Sequence, residues 1–285
     1  MTWAFNPKRK FLPISITGHK CELLCRYCMG KYLRGMVPAT TPKALYDAIK
    51  HYYKRGVKGF LISGGFNRNG ILPIEPFLGI IKDIKRELRD IIISAHSGFV
   101  DKELAIKLRE SGVDIIDFEF SLSKVYIQYV KNLRSKSPSD VYRIYELLNK
   151  HGPPYIAPHI VINPLTEKHE PEAIFNELSC LADFHPYILV LLVYMPTPNT
   201  PSYYDGTPSI NYVYEVFRCV RRLFKTVSLG CMRPRMGNYR FMIDKIALNL
   251  GFNRIVNPHR KLLKHIKKVV YSCCSIPAEL LHLFI

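Results

Sequence analysis

LPISITGHKCELLCRYC, residues 12–28, runs a short apolar segment straight into a loop holding three cysteines, Cys21, Cys25 and Cys28. Residues 12–17 read as a strand, and the cysteine loop follows it. Three thiols gather within this loop, and no fourth cysteine lies near them in sequence.

Outward from this stretch the same unit repeats. Thr41 caps a helix that has Pro42 in its first turn and runs to Gly56. Strand-then-helix pairs follow at 59–63 with 75–88, 91–96 with 101–112, 114–121 with 139–150, 155–163 with 170–184, and 187–196 with 211–224. Their strands are near-continuous apolar runs, as in a parallel sheet covered on both faces. A weaker continuation has a strand at 226–232, a helix over 239–250, a strand at 254–257, a basic helix over 259–268, and a strand or extended tail at 269–275. This pattern predicts an α/β fold, a (β/α) barrel that is partial or complete, with a C-terminal extension. The core is expected over residues 1–225, with 226–285 as a β/α extension completing or capping the barrel. An open doubly wound sheet is the runner-up.

Composition narrows the class. The chain has 285 residues, 48% of them hydrophobic, enough for a substantial core. The apolar run at 187–195 is shorter than a bilayer span needs. The N-terminus MTWAFNPKRK lacks a signal peptide's apolar segment. A soluble, cytoplasmic protein with no membrane partner is the expectation. Eight cysteines in a chain of this length do not make a secreted disulfide scaffold, so clustered thiols point to metal ligation or catalysis. The net charge of +18, from 41 basic and 23 acidic residues, favours acidic partners: nucleic acid, an anionic cofactor or an acidic protein. Basic residues concentrate at Lys8–Lys10, Arg221–Lys225 and His259–Lys268.

Barrel active sites sit at the C-terminal ends of the strands, and unusual residues collect there. In order come the cysteine loop, Ser63-Gly64-Gly65, His96 and Ser97, Glu119 and Ser121, His159 and Asn163, MPTPNTP at 195–201, and Cys231 in GCMRPRMGNYR at 230–240. Glycine and proline shape turns anywhere; their coincidence with charged and thiol groups on one rim points to a site. A closed zinc site needs four ligands, and His19 could complete a Cys3His set. An iron–sulfur cubane takes one thiolate per iron, so three cysteines leave one iron open to a cofactor or substrate. Cys180 and Cys219 fall within helical segments, as small buried hydrophobes do. Cys273 and Cys274 are adjacent, and in a strand their side chains would face opposite ways.

The spacing Cys-x3-Cys-x2-Cys after the first strand, with Tyr27 just before the last cysteine, resembles the radical S-adenosylmethionine superfamily. The resemblance implies that Cys21, Cys25 and Cys28 hold a 4Fe–4S cluster whose open iron binds S-adenosylmethionine. Its reductive cleavage would give a 5′-deoxyadenosyl radical that abstracts hydrogen from substrate. The likeness further implies cofactor contacts at Tyr27, at Gly64 and Gly65 (the methionyl amino group) and at Glu119 and Ser121 (the ribose). Phe66 stands where many members carry a glutamate, and HIVINPL at 159–165 lacks their Gly-rich turn. SITGHKCELLCRYC, ISGG, PTPNTP, GCMRP and YSCCSIP together are similar to the biotin-synthase and lipoyl-synthase branch, nearest to a subunit of the two-component archaeal lipoyl synthase. That likeness implies a sulfurtransferase acting on an octanoyl chain held by a carrier protein or peptide. It also implies a second iron–sulfur cluster near Cys231, Cys273 and Cys274, a partner radical subunit, and an electron donor such as ferredoxin. Two rivals are a radical enzyme that modifies tRNA, which the basic charge suits, and a zinc-stabilised binding protein without catalysis.

Overall fold

The computed structural model describes residues 1–7 and 10–285, so Lys8 and Arg9 of the Lys8–Lys10 concentration lie outside the described residues. Eleven parallel strands form one sheet. They are β1 (Trp3–Phe5), β2 (Phe11–Ser15), β3 (Val37–Pro38), β4 (Gly59–Ser63), β5 (Ile92–Ala95), β6 (Ile115–Glu119), β7 (Tyr155–Ile162), β8 (Leu189–Val193), β9 (Val227–Leu229), β10 (Arg254–Val256) and β11 (Val269–Val270). The helices are α1 (Pro42–Tyr53), α2 (Leu78–Glu87), α3 (Lys102–Glu110), α4 (Pro138–His151), α5 (Pro164–His169), α6 (Ala173–Asp183), α7 (Ile210–Leu223) and α8 (Tyr239–Asn249). Local chemistry sets their starts. Thr41, Asp101, Ser137, Asn163 and Ser209 each accept a backbone N–H from the first turn of the helix that follows.

From β2 to β10 the strands lie in chain order without reversal, apart from β3 at the edge beside β2. A doubly wound sheet reverses at a switch point, so the runner-up architecture is excluded and the half-barrel holds. Curvature follows from covalent reach. β1 sits between β10 and β11, while β2 lies eight strand positions away. In a flat sheet that is roughly 38 Å, whereas the step from Phe5 to Phe11 spans at most about 21 Å. The sheet therefore curls until its edges approach. Phe5 of β1, Phe11 of β2, Ile115 of β6 and Val190 of β8 accordingly join a single buried cluster with Ile276 and Phe284.

That cluster closes the end of the barrel where the strands begin, and the C-terminus plugs it. The segment 271–285 carries no helix of length but a 3-10 turn, Ala278–Phe284. It is tied in by Arg254 Nη1 to Cys274 O at 2.7 Å and by Tyr187 Oη to Ser275 O at 2.6 Å. Phe284 is fully buried against Phe11. Phe284→Ala is expected to cost about 3–5 kcal/mol, read as a lower denaturant midpoint with an unchanged slope.

One expectation at this end is corrected. The basic helix over 259–268 is only a 3-10 turn, Arg260–His265, whose like charges and single buried residue, Leu262, give a longer helix little support. The 269–275 tail contributes two strand residues, Val269 and Val270, paired with β1, before it turns under the barrel. The boundary read at 225/226 falls inside one continuous sheet, with β9, β10 and β11 extending it.

Candidate active site

A cavity of about 260 Å³ opens at the C-terminal ends of the strands. Cys21, Cys25 and Cys28 line it, together with Tyr27, Gly64, Glu119 and Ser121. Gly65 does not line it but shapes it. A Cβ there would stand 1.9 Å from Lys20 O and 2.4 Å from Cys21 Cα, so only glycine lets the two loops pass. Gly65 N donates to Thr17 Oγ1 at 2.6 Å, and Phe66 O accepts from Glu22 N and Leu23 N at 3.0 Å each. The segment after β4 thus clamps the cysteine loop through backbone groups, Phe66 among them.

The other side of the loop is held as firmly. Buried Tyr27 packs against Tyr32 and Tyr194, with centroids 6.1 and 6.2 Å away. Tyr32 Oη shares a hydrogen bond with Thr197 Oγ1 at 2.7 Å, and Lys31 Nζ donates to Asn199 O at 3.0 Å. MPTPNTP is therefore a strap over the cysteine loop. Arg26 N donates to Val130 O at 2.9 Å, and Asn132 Nδ2 donates to Leu23 O at 2.9 Å.

Those last contacts come from an element the sequence reading missed, a π-helical turn over Val125–Val130. It brings Tyr126 and Lys131 into the cavity wall. Lys131 Nζ lies 2.8 Å from Glu119 Oε1, and Tyr126 Oη donates to the same oxygen at 2.9 Å. Burial opposes charge on Glu119, yet Lys131 outweighs it and holds the carboxyl below the usual range. Burial likewise opposes the Lys131 ammonium, but Glu119 and the thiols of Cys25 and Cys28 keep its pKa raised. One half-buried cation thus serves both a carboxylate and the thiols. The pattern Ser-x-Ser-Lys followed by VYIQYV after β6 is the one signal that could have marked this turn.

Ser121 lines the cavity, but its hydroxyl is engaged. It donates to Glu177 Oε1 at 2.6 Å, alongside the backbone N–H groups of Leu122 and Ser123. Burial pushes the Glu177 carboxyl up to about 7, against those hydrogen bonds. Its ordinary value is 4.5, so between about 4.5 and 7 the folded protein keeps a proton that the unfolded chain releases. Stability then falls as pH rises through that window, by about 3 kcal/mol in all. Glu177→Gln is expected to flatten that slope in denaturation curves taken from pH 4.5 to 7.5.

Beneath the cysteine loop the cavity has a polar floor. Ser63 Oγ and His96 Nδ1 are 2.8 Å apart, and Asp117 and His159 complete the set. His159 Nδ1 lies 3.0 Å from Ala157 O. A carbonyl only accepts, so Nδ1 carries a proton, and Nε2 is an acceptor whenever the ring is neutral. Burial lowers His96. Asn163, by contrast, is a helix cap.

The second cysteine set comes from two segments, the loop after β9 and the C-terminal plug. Cys231 follows β9 at the cavity end, and its neighbour Met232 lines the cavity. Cys273 and Cys274 sit in the plug, Cys274 buried. None of the three lines the cavity. Cys231 is exposed, yet its surroundings and then Cys273 raise its thiol, so the two segments stand in electrostatic reach of each other. Arg233 is wholly structural. It is fully enclosed, with Nε 2.7 Å from Asp244 Oδ1 and Nη2 donating to Val256 O at 2.5 Å. Cys180 and Cys219 pack half-buried on the core.

Among the described residues no three His, Cys, Asp or Glu side chains stand close enough to hold a single metal ion, and His19 is exposed. The Cys3His zinc arrangement is therefore not assembled. A cubane asks for something different, since each thiolate meets its own iron. Three cysteines around one cavity, beside a half-buried ammonium and a glycine cradle, fit that demand. No helix among the described residues is long and apolar enough to cross a membrane.

Residues 15–178 match the Radical SAM superfamily. No curated protein matches the chain. Among solved structures, methylornithine synthase (PylB) is similar with a TM-score of 0.60 and 15% identity, over 90% of this chain and 71% of that one. HydG, a maturase of the FeFe-hydrogenase, has a TM-score of 0.62 and 13% identity, over 90% of this chain and 57% of HydG. The peptide-bound anSMEcpe, which also holds AdoMet, has a TM-score of 0.54 and 16% identity, over 88% of this chain and 63% of its own. At these identities the likeness shows the fold alone, and the chain spans less than two thirds of the last two.

Proposed function

The chain belongs to the radical S-adenosylmethionine superfamily, and on that premise we propose that its cavity abstracts hydrogen from an unactivated carbon of an acyl chain, leading to sulfur insertion. The observation that carries this reading is the three cysteines on one apolar-walled cavity at the strand ends. Cys21, Cys25 and Cys28 would hold the 4Fe–4S cluster, with Gly64, Tyr27, Glu119 and Ser121 on the walls around its cofactor. Bound there, the cluster and S-adenosylmethionine supply a 5′-deoxyadenosyl radical by one-electron reductive cleavage.

The chain's own residues then do four things. The strap at 195–201 and the backbone of Phe66 fix the cysteine loop, so the thiols keep one geometry through turnover. Lys131 offsets negative charge on the thiols and is itself held by Glu119. Phe66, Phe99, Leu133 and Leu192 exclude water from the reacting carbon and accept an alkyl chain. Cys231, Cys273 and Cys274, in electrostatic reach of one another below the cavity, would hold the second sulfur centre. The +18 charge suits an acidic carrier that presents an octanoyl-lysine.

The test is anaerobic reconstitution with S-adenosylmethionine, a reductant and an octanoyl-lysine carrier peptide, with and without a candidate second subunit. The expected result is 5′-deoxyadenosine together with a peptide heavier by sulfur. Release of 5′-deoxyadenosine with an unaltered peptide, under both conditions, would remove the sulfur-insertion reading and leave the radical one.

A further inference from the structure

The polar floor is at odds with a purely alkyl substrate. Along β6, Ile115 belongs to the buried cluster at the barrel's closed end, so Asp117 and Glu119, two and four residues on, share the inward face. Asp117 is 5% exposed, lines the cavity, and its Oδ1 has no hydrogen-bond partner among the described residues. It makes no ion pair there either. On the same inward face, Ser94 Oγ of β5 is buried and equally without a partner among the described residues. His159, when its ring is neutral, adds a further acceptor at Nε2.

Burying a carboxylate oxygen without a donor is costly, and native folds leave few such atoms. A methyl end placed against Asp117 and His159 would leave both acceptors unpaired. A donor-bearing end would satisfy them and would also fix how deeply the chain enters. We infer that the floor receives a hydrogen-bond donor carried by the buried end of the substrate. The chain this site takes would then already bear an amino, thiol or hydroxyl group. This rests on the acyl-chain reading, and it places the protein after a reaction that has put a heteroatom on that chain.

The test compares lysine peptides acylated with octanoyl, ω-hydroxyoctanoyl, ω-mercaptooctanoyl and ω-aminooctanoyl groups. Binding to the reconstituted protein with S-adenosylmethionine is read by fluorescence anisotropy. At least one donor-bearing peptide is expected to bind about tenfold or more tighter than octanoyl. Asp117→Leu should erase that advantage, leave octanoyl binding intact, keep the iron content, and raise Tm by roughly 3 °C, because an unpaired buried carboxylate is gone. Equal or tighter binding of plain octanoyl by the wild type overturns the inference. Loss of iron in Asp117→Leu also overturns it, by assigning Asp117 to the thiols of Cys231 and Cys273. If no acyl peptide binds, the acyl-peptide reading fails separately. The same four tails as free acids, read by thermal shift, then decide the floor: an Asp117-dependent donor advantage upholds the inference, and its absence sinks it.

Discussion

Serine at Cys21, Cys25 and Cys28 together ends 5′-deoxyadenosine release, a loss of more than about a hundredfold, since even outer-shell changes at metal sites cost that much. The fold survives, because two of the three positions are only half-buried and the loop is clamped by backbone groups of Phe66 and Val130. Circular dichroism should therefore match the wild type while the iron–sulfur absorbance falls. Iron content gives the sharper reading. One cubane needs four irons and two need roughly eight. A wild type with roughly eight and a triple variant with four establishes a second centre, which serine at Cys231, Cys273 and Cys274 must then remove. A wild type with four and a triple variant with none confines all the iron to the first loop. The thiols in the plug would then be packing groups, as Cys180 and Cys219 are.

The first centre was legible because its signal is local. A strand, a turn and three thiols lie within residues 12–28, and short-range spacing survives folding unchanged. Most strands were legible for a related reason: a parallel strand buried on both faces must be an apolar run. The misses share the opposite cause. β1 is three residues long and pairs only with β10 and β11, from the other end of the chain. The π-helical turn over Val125–Val130 has no simple period, yet it delivers Lys131 and Tyr126. Asp117 read as one polar residue in the strand DIIDFEFS, and only the pairing of β6 between β5 and β7 sets it beside His96 and His159. The second cysteine set shows the same limit. GCMRP read as a strand-end motif and YSCCSIP as a strand or tail, and only the fold brings Cys273 into electrostatic reach of Cys231.

Gly65→Ala is expected to reduce cluster loading and S-adenosylmethionine cleavage at least about tenfold, although it changes neither a ligand nor a lining residue. The added methyl would meet Lys20 O at 1.9 Å and Cys21 Cα at 2.4 Å. Both are backbone atoms, so no rotamer change relieves the clash, and the segment that positions the first thiol must move. Overpacking of this kind costs about 1–3 kcal/mol, which lowers Tm without unfolding the barrel. The neighbouring Gly64→Ala meets Thr17 Oγ1, a side-chain atom, at 2.9 Å. Its effect should be smaller and should come through the hydrogen bond from Gly65 N to that hydroxyl. Gly79→Ala supplies the control: no atom lies within 4 Å of its Cβ position in α2, so it should gain about 0.5–1 kcal/mol with iron content unchanged. A Gly65→Ala protein that loads iron fully would mean the two loops separate readily. The glycine would then matter for contact with the cofactor, as the family resemblance implies, and not for the close passage of the chain.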